Sequence, residues 1–170
     1  MAADHCDALV FFGATGDLAY KKIFPSLQAM LKRGNLDVPV IGVAKAAWNL
    51  NQLKARAKDS LEKHGGLDAA AFAKLSSLLR YVAGDYEDTA TFQALRKELK
   101  DARRPAHYLA IPPVLFAAVV EQLVKSGSAK GSLRHRTVIT LTWHSPSPSS
   151  GIANFALPEA PRAASVSSDK

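Results

Sequence analysis

A single cysteine, Cys6, stands in the 170 residues, so no disulfide can form within the chain and nothing argues for an oxidising compartment. It lies just ahead of the first apolar run and is expected to be a buried or edge thiol. Long apolar runs are missing as well: no stretch approaches the ~18 residues of a membrane span. The acidic start, Met1-Ala-Ala-Asp-His-Cys-Asp7, lacks the basic opening of a signal peptide. These absences predict a cytoplasmic protein with no membrane partner. His5, His64, His107, His135 and His144 never recur at i, i+4 and never cluster with the cysteine, so no metal site is expected. His107 falls inside an apolar strand and reads as a satisfied core histidine rather than a catalyst. There is no G-x-S-x-G and no Walker A sequence.

A basic stripe interleaved with aromatics is also lacking. The net charge is +7 and the pI about 9.6, but Lys54, Arg56, Lys58 and Lys63 are interspersed with Asp59 and Glu62. That pattern is a solvated helix face and excludes nucleic acid as the expected partner. A positive surface does favour small anionic phosphates.

What the sequence does hold is 48% hydrophobic and 22% charged residues, the balance of one globular domain. Strand-like runs at 8–12, 38–44, 80–83, 107–111 and 136–141 alternate with helical patterns at 17–33, 49–63, 68–79, 88–101 and 112–125. Asn49 or Asn51 caps the second helix and Asp88 or Thr89 the fourth; Pro25 is expected to bend or break the first. This alternation predicts an α/β fold, a Rossmann-like doubly wound parallel sheet with helices on both faces. Ligand should then sit beyond the carboxyl ends of the strands, at the loops after Phe12, Ala44, Ala83 and Ile111.

The first of those loops is the most informative. The apolar run Ala8–Phe12 stops at Gly13 and a helical pattern opens near Asp17. Gly13 permits a tight turn, Gly16 leaves room for a pyrophosphate against the backbone, and Ala19 lets the helix lie close to the strand. Ala14, Thr15, Asp17 and Leu18 complete a corner whose first-turn N–H groups and helix dipole favour an anion. The spacing G-x-x-G-x-x-A departs from G-x-G-x-x-G, and an ordinary strand-to-helix turn could share it. Lys45 follows the second strand, where an acid binds the ribose 2′-hydroxyl of NAD and a cation accommodates the 2′-phosphate of NADP. No acid lies within this strand end, which favours NADP.

The wording Phe12-Gly-Ala-Thr-Gly-Asp-Leu-Ala19, then Lys21-Lys-Ile-Phe-Pro25, then Tyr108-Leu-Ala-Ile-Pro-Pro113 resembles the opening of the glucose-6-phosphate dehydrogenase family. The resemblance runs over about residues 6–130. It implies a cofactor site for NADP built from Gly13, Ala14, Thr15, Gly16, Asp17, Leu18, Ala19, Lys22, Lys45, Asp85, Tyr86, Ala110, Ile111 and Phe116. In the family an arginine usually stands at the place of Lys45. Asp85 could equally cap a turn, and Phe116 could be core. The resemblance further implies oxidation of D-glucose 6-phosphate to 6-phosphogluconolactone with NADP, a step of the pentose phosphate pathway. The resemblance also implies that the family's catalytic base and sugar-phosphate site belong to a second α+β domain, which this sequence is expected to lack. No catalytic residue is therefore assigned, and glucose 6-phosphate is a partner only where a catalytic domain is supplied.

Near Gly131 the resemblance ends. The family's Glu-Lys-Pro-Phe-Gly segment is replaced by Leu141-Thr-Trp-His-Ser-Pro-Ser-Pro148, and residues 131–170 hold eight of the fourteen serines. Such composition cannot offset the cost of ordering the backbone. Two units follow: a dinucleotide-binding domain over 1–142 with an incomplete sheet, and a Ser/Pro-rich tail over 143–170 expected to be disordered. A frameshifted or truncated product and a genuine short protein both fit. The expected function is NADP binding by the coenzyme domain of a glucose-6-phosphate dehydrogenase; the alternatives are a non-catalytic NADP-binding module and an inactive fragment.

Overall fold

A computed structural model describes residues 6–129 and 139–141. Five parallel strands, β1 (Ala8–Phe12), β2 (Val40–Ala44), β3 (Leu79–Ala83), β4 (Pro105–Leu109) and β5 (Ile139–Leu141), lie in the order β3-β2-β1-β4-β5. Five α-helices connect or flank them: α1 (Phe24–Lys32), α2 (Leu50–His64), α3 (Ala69–Leu78), α4 (Thr89–Leu99) and α5 (Phe116–Lys125). The doubly wound parallel α/β fold expected from the alternation is therefore present. The order reverses at β1, whose neighbours are β2 on one side and β4 on the other. That reversal opens a crevice at the carboxyl end of the sheet.

The near-continuous apolar character of β1 and β2 has a simple cause: both faces are covered. Phe11 joins Phe24, Leu27, Leu53, Leu61 and Leu75 beneath α1, α2 and α3. Val10 and Phe12 point the other way, into a second cluster with Phe92, Leu95, Val119 and Leu123 of α4 and α5. The strand period of two thus sorts one five-residue run between two cores.

Some boundaries differ from expectation. The second strand starts at Val40 rather than 38, because Pro39 has no N–H to give the ladder. The fourth runs over Pro105–Leu109 rather than 107–111; Ala110 makes one more bond, its N–H to the Phe12 carbonyl at 3.1 Å, and then leaves the sheet. The capping expectations are resolved as Asn49 and Asp88. Asn49 forms a full capping box with Gln52, each side chain accepting the other's N–H at 2.9 Å. Cys6 is exposed, not buried. The sequence break near Gly131, the first half of the fifth strand expected at 136–138 and the tail from 143 all lie outside the described residues.

Pro25 disturbs the first helical run, and the disturbance falls just upstream of the proline itself. A π-helical turn, Ala19–Ile23, precedes it, and Pro25 falls in the first turn of α1. The Phe24 N–H reaches back to the Ala19 carbonyl, five residues away. Widening the coil just ahead of the proline relieves the ring's clash with the preceding turn and removes the need for its missing N–H.

His107 is the one buried histidine in β4, 1% exposed and tilted against Phe12. Its Nε2 lies 3.3 Å from the Ser128 carbonyl, while Nδ1 has no partner among the described residues, so the ring is only half satisfied. Burial pulls its pKa down to about 4. The folded state thus holds the neutral imidazole, and the unfolded chain binds a proton below about pH 6.5. Stability is fully present above pH 6.5, falls as pH drops through that value, and levels off below pH 4. The loss is expected to reach at most about 3 kcal/mol. Thermal unfolding followed between pH 7 and 4 checks it: His107→Leu should flatten the slope in that window, and an unchanged slope would assign the acid sensitivity elsewhere.

Candidate functional site

The corner after β1 is built as tightly as its glycines require. Gly13 has φ +83°, and a Cβ placed there would meet the Ala110 carbonyl oxygen at 2.2 Å. Both the backbone angle and the approach of the β4 loop forbid a side chain. The close approach is the crevice itself, since Ala110 follows β4 and Gly13 follows β1. Gly16 differs: it is exposed, and a Cβ there would meet only the Gly13 carbonyl oxygen, at 3.2 Å. Its bareness leaves the solvent side of the turn open.

The amides of this turn divide into two sets. Gly13 and Ala14 donate to the Val43 carbonyl at 2.9 and 3.2 Å, and Gly16 donates to Gly13 at 3.0 Å. These three are spent on holding the turn. The amides left to meet an anion are those of Thr15 and of Asp17 and Leu18, where a helix start provides no intrahelical acceptor. Ala14 and Ala19 are fully buried and belong to the core that seats the turn.

Two further glycines are fixed by close contacts, and one of them shapes the corner. A Cβ on Gly42 would lie 2.8 Å from the Ala14 Cβ and 3.2 Å from Leu53. A Cβ on Gly84 would lie 2.1 Å from Thr91 Oγ1. Gly42 makes the space that Ala14 fills, so β2 shapes the corner of β1. The Gly42 contacts could not be read from its own strand, because Ala14 and Leu53 come from other segments, whereas Gly84 meets Thr91 of the helix that follows it.

Tyr86 also proves to be part of the corner's scaffold. Its ring is 5% exposed and packs edge-on against Phe12 at 5.9 Å. Its hydroxyl accepts the Gly13 N–H at 3.1 Å and faces the Val43 carbonyl at 3.5 Å. Burial raises its pKa to about 12, so the hydroxyl stays protonated and available to donate. Tyr86→Phe is expected to cost about 1 kcal/mol, since Gly13 keeps its bond to Val43. Thermal melts of the two proteins check this; identical melting temperatures would show that the hydroxyl braces nothing.

The remaining candidates fall around the same end of the sheet. Lys45, just after β2, is half exposed and its Nζ lies 2.9 Å from Asp85 Oδ2, just after β3. The second strand end carries no acid of its own, as its sequence reads, but the loop after the neighbouring strand brings one to Lys45. Parallel pairing of Ala44 with Ala83 brings the two loops side by side. Lys45 hydrogen-bonded to Asp85 holds that carboxyl below the usual carboxylate range. Asp85 Oδ1 accepts the Glu87 N–H at 3.0 Å, so it caps a turn as well.

Lys21 pairs with Asp17 at 3.1 Å on the exposed face, and Lys22 is exposed beside it. Ile111 is buried, and Phe116 is partly buried against the second core. Among the described residues no group of three or more His, Cys, Asp or Glu could hold a metal ion, and no helix is long and apolar enough to cross a membrane.

Fold and corner together define a Rossmann-like domain of the dinucleotide-binding class. Residues 10–140 match the family described as "Glucose-6-phosphate dehydrogenase, NAD binding domain". The chain is 39% identical over 117 residues to glucose-6-phosphate 1-dehydrogenase 1 of Mycobacterium tuberculosis, covering 69% of this chain and 25% of that protein. It is 36% identical over 137 residues to the Dickeya dadantii glucose-6-phosphate 1-dehydrogenase, covering 78% and 28%. Among solved structures, the Mycobacterium avium glucose-6-phosphate 1-dehydrogenase superposes with a TM-score of 0.69 at 41% identity, over 72% of this chain and 27% of that one. A glucose-6-phosphate dehydrogenase in complex with its substrate glucose-6-phosphate gives 0.65 at 30% identity, over 74% and 29%. The chain belongs to the glucose-6-phosphate dehydrogenase family, and it spans about a quarter of the length of the curated relatives it matches.

Proposed function

We propose that these residues form the coenzyme site of a glucose-6-phosphate dehydrogenase, with NADP as the cofactor. The observation that carries this reading is the glycine corner wedged against Ala110 at the point where the strand order reverses. A pyrophosphate would be met there by the amides of Thr15, Asp17 and Leu18 and by the positive end of the helical coil that opens at Asp17. Lys45, in the loop after β2, would supply the cation for a 2′-phosphate on the adenosine ribose. Ala110, Ile111 and Phe116 would line the nicotinamide half, and Lys22 lies in the π-helical turn that follows the corner.

The cofactor would supply the hydride acceptor for the oxidation of glucose 6-phosphate at C1, the reaction that gives the family its name. This chain's own residues bind and orient it. No group of these 170 residues is assigned to proton abstraction. Calorimetric titration of the purified chain with NADP and with NAD tests the reading. Binding of NADP in preference to NAD supports it; heat from neither nucleotide overturns it.

A further inference from the structure

The Lys45–Asp85 pair has a consequence for which cofactor the corner prefers, and it rests on the nucleotide-binding reading above. The pair is closed at 2.9 Å, and both side chains are 49% exposed at the carboxyl end of the sheet. Lys45 is approached from a second side by the Tyr86 ring, whose centroid is 5.6 Å from Nζ. The turn that presents Asp85 is fixed. The Gly84 N–H donates to the Ala44 carbonyl at 3.0 Å, and Gly84 has no room for a Cβ beside Thr91. Asp85 Oδ1 is held by the Glu87 amide, which leaves Oδ2 to face Lys45. The cation meant for a 2′-phosphate therefore already carries a carboxylate.

We propose that Asp85 is a specificity-determining residue that weakens preference for a 2′-phosphorylated nucleotide and supports one with a free 2′-hydroxyl. The chemistry is asymmetric. A 2′-phosphate must displace the carboxylate from Lys45 and then remain near it, two anions sharing one cation. A 2′-hydroxyl can donate a hydrogen bond to Asp85 while the ion pair stays closed. An exposed pair is worth little in itself, and screening limits the repulsion, so the effect is moderate rather than absolute. The chain is thus expected to use both nucleotides, with NADP favoured less than Lys45 alone would give.

Asp85→Asn isolates the charge, because the amide keeps an Oδ1 acceptor for the Glu87 N–H and nearly the same volume. By calorimetry, the ratio of NADP to NAD affinity in this variant is expected to rise about ten-fold over that of the unsubstituted chain, through tighter NADP and weaker NAD. Asp85→Ser retains an oxygen at the turn and carries the same test should the Asn variant fail to fold by circular dichroism. A ratio unchanged within about two-fold in a folded variant overturns the role of Asp85 and leaves the coenzyme site standing. No binding of either nucleotide by the unsubstituted chain overturns both.

Discussion

Gly13→Ala is expected to lower stability by about 3 kcal/mol or more, the largest single effect at this site. Two costs add. At φ +83° an L-residue sits in the left-handed region, and its Cβ falls 2.2 Å from the Ala110 carbonyl oxygen. That neighbour is backbone, tied to β1 by the bond from Ala110 N–H to Phe12, so it cannot rotate away. For a chain of this size the melting temperature should fall by roughly 6–12 °C. Gly34→Ala supplies the control. Gly34 has φ +73° with nothing within 4 Å of the place a Cβ would occupy, so it bears the angular cost alone, about 1 kcal/mol. Equal losses in the two variants would show that the Ala110 contact is slack and that the corner is less tightly built than its geometry states. Where Gly13→Ala stays folded, its nucleotide binding should be lost as the turn amides shift.

Lys45→Ala is expected to weaken NADP about ten- to a hundred-fold while changing NAD by less than about two-fold. A charge-assisted contact to a phosphate dianion disappears, and the Asp85 carboxylate, 2.9 Å from Lys45 in the intact chain, is left facing the phosphate without its cation. The second factor makes the loss larger than that of a simple surface lysine. Lys45→Arg should restore NADP binding, because the guanidinium keeps the charge and adds a fork that matches phosphate. Calorimetric titration of the three proteins checks both statements. Equal weakening of NADP and NAD in Lys45→Ala would place the lysine on some other part of the nucleotide.

Much of this is legible in the residues themselves. Ala8–Phe12 and Val40–Ala44 are too uniformly apolar to face water on either side, and their separation by helical patterns leaves a parallel doubly wound sheet as the natural arrangement. Gly13 and Gly16 can be read because their roles are local, one a turn and the other an open face. What cannot be read depends on contacts between distant segments. Nothing beside Gly42 in its own strand explains a glycine there; Ala14, from another strand's loop, does. Tyr86 reads as a ligand contact from its position; that its hydroxyl also holds the Gly13 amide, 73 residues away in the chain, is visible only in the fold. Lys45 and Asp85 are each recognisable, and only the adjacency of β2 and β3 shows that they neutralise each other. Pro25 is the converse case. Its disturbance of the helix is legible, but a π-helical turn over Ala19–Ile23 absorbs it upstream.

The measurement that bears most directly on the proposed coenzyme site is amide chemical-shift mapping of the isotope-labelled chain as NADP is added. The amides of Thr15, Asp17 and Leu18, together with those of Lys45 and Ala46, are expected to move most and to saturate with one affinity. Movement confined to other faces of the sheet, with these amides unchanged, would contradict a nucleotide at the β1 corner.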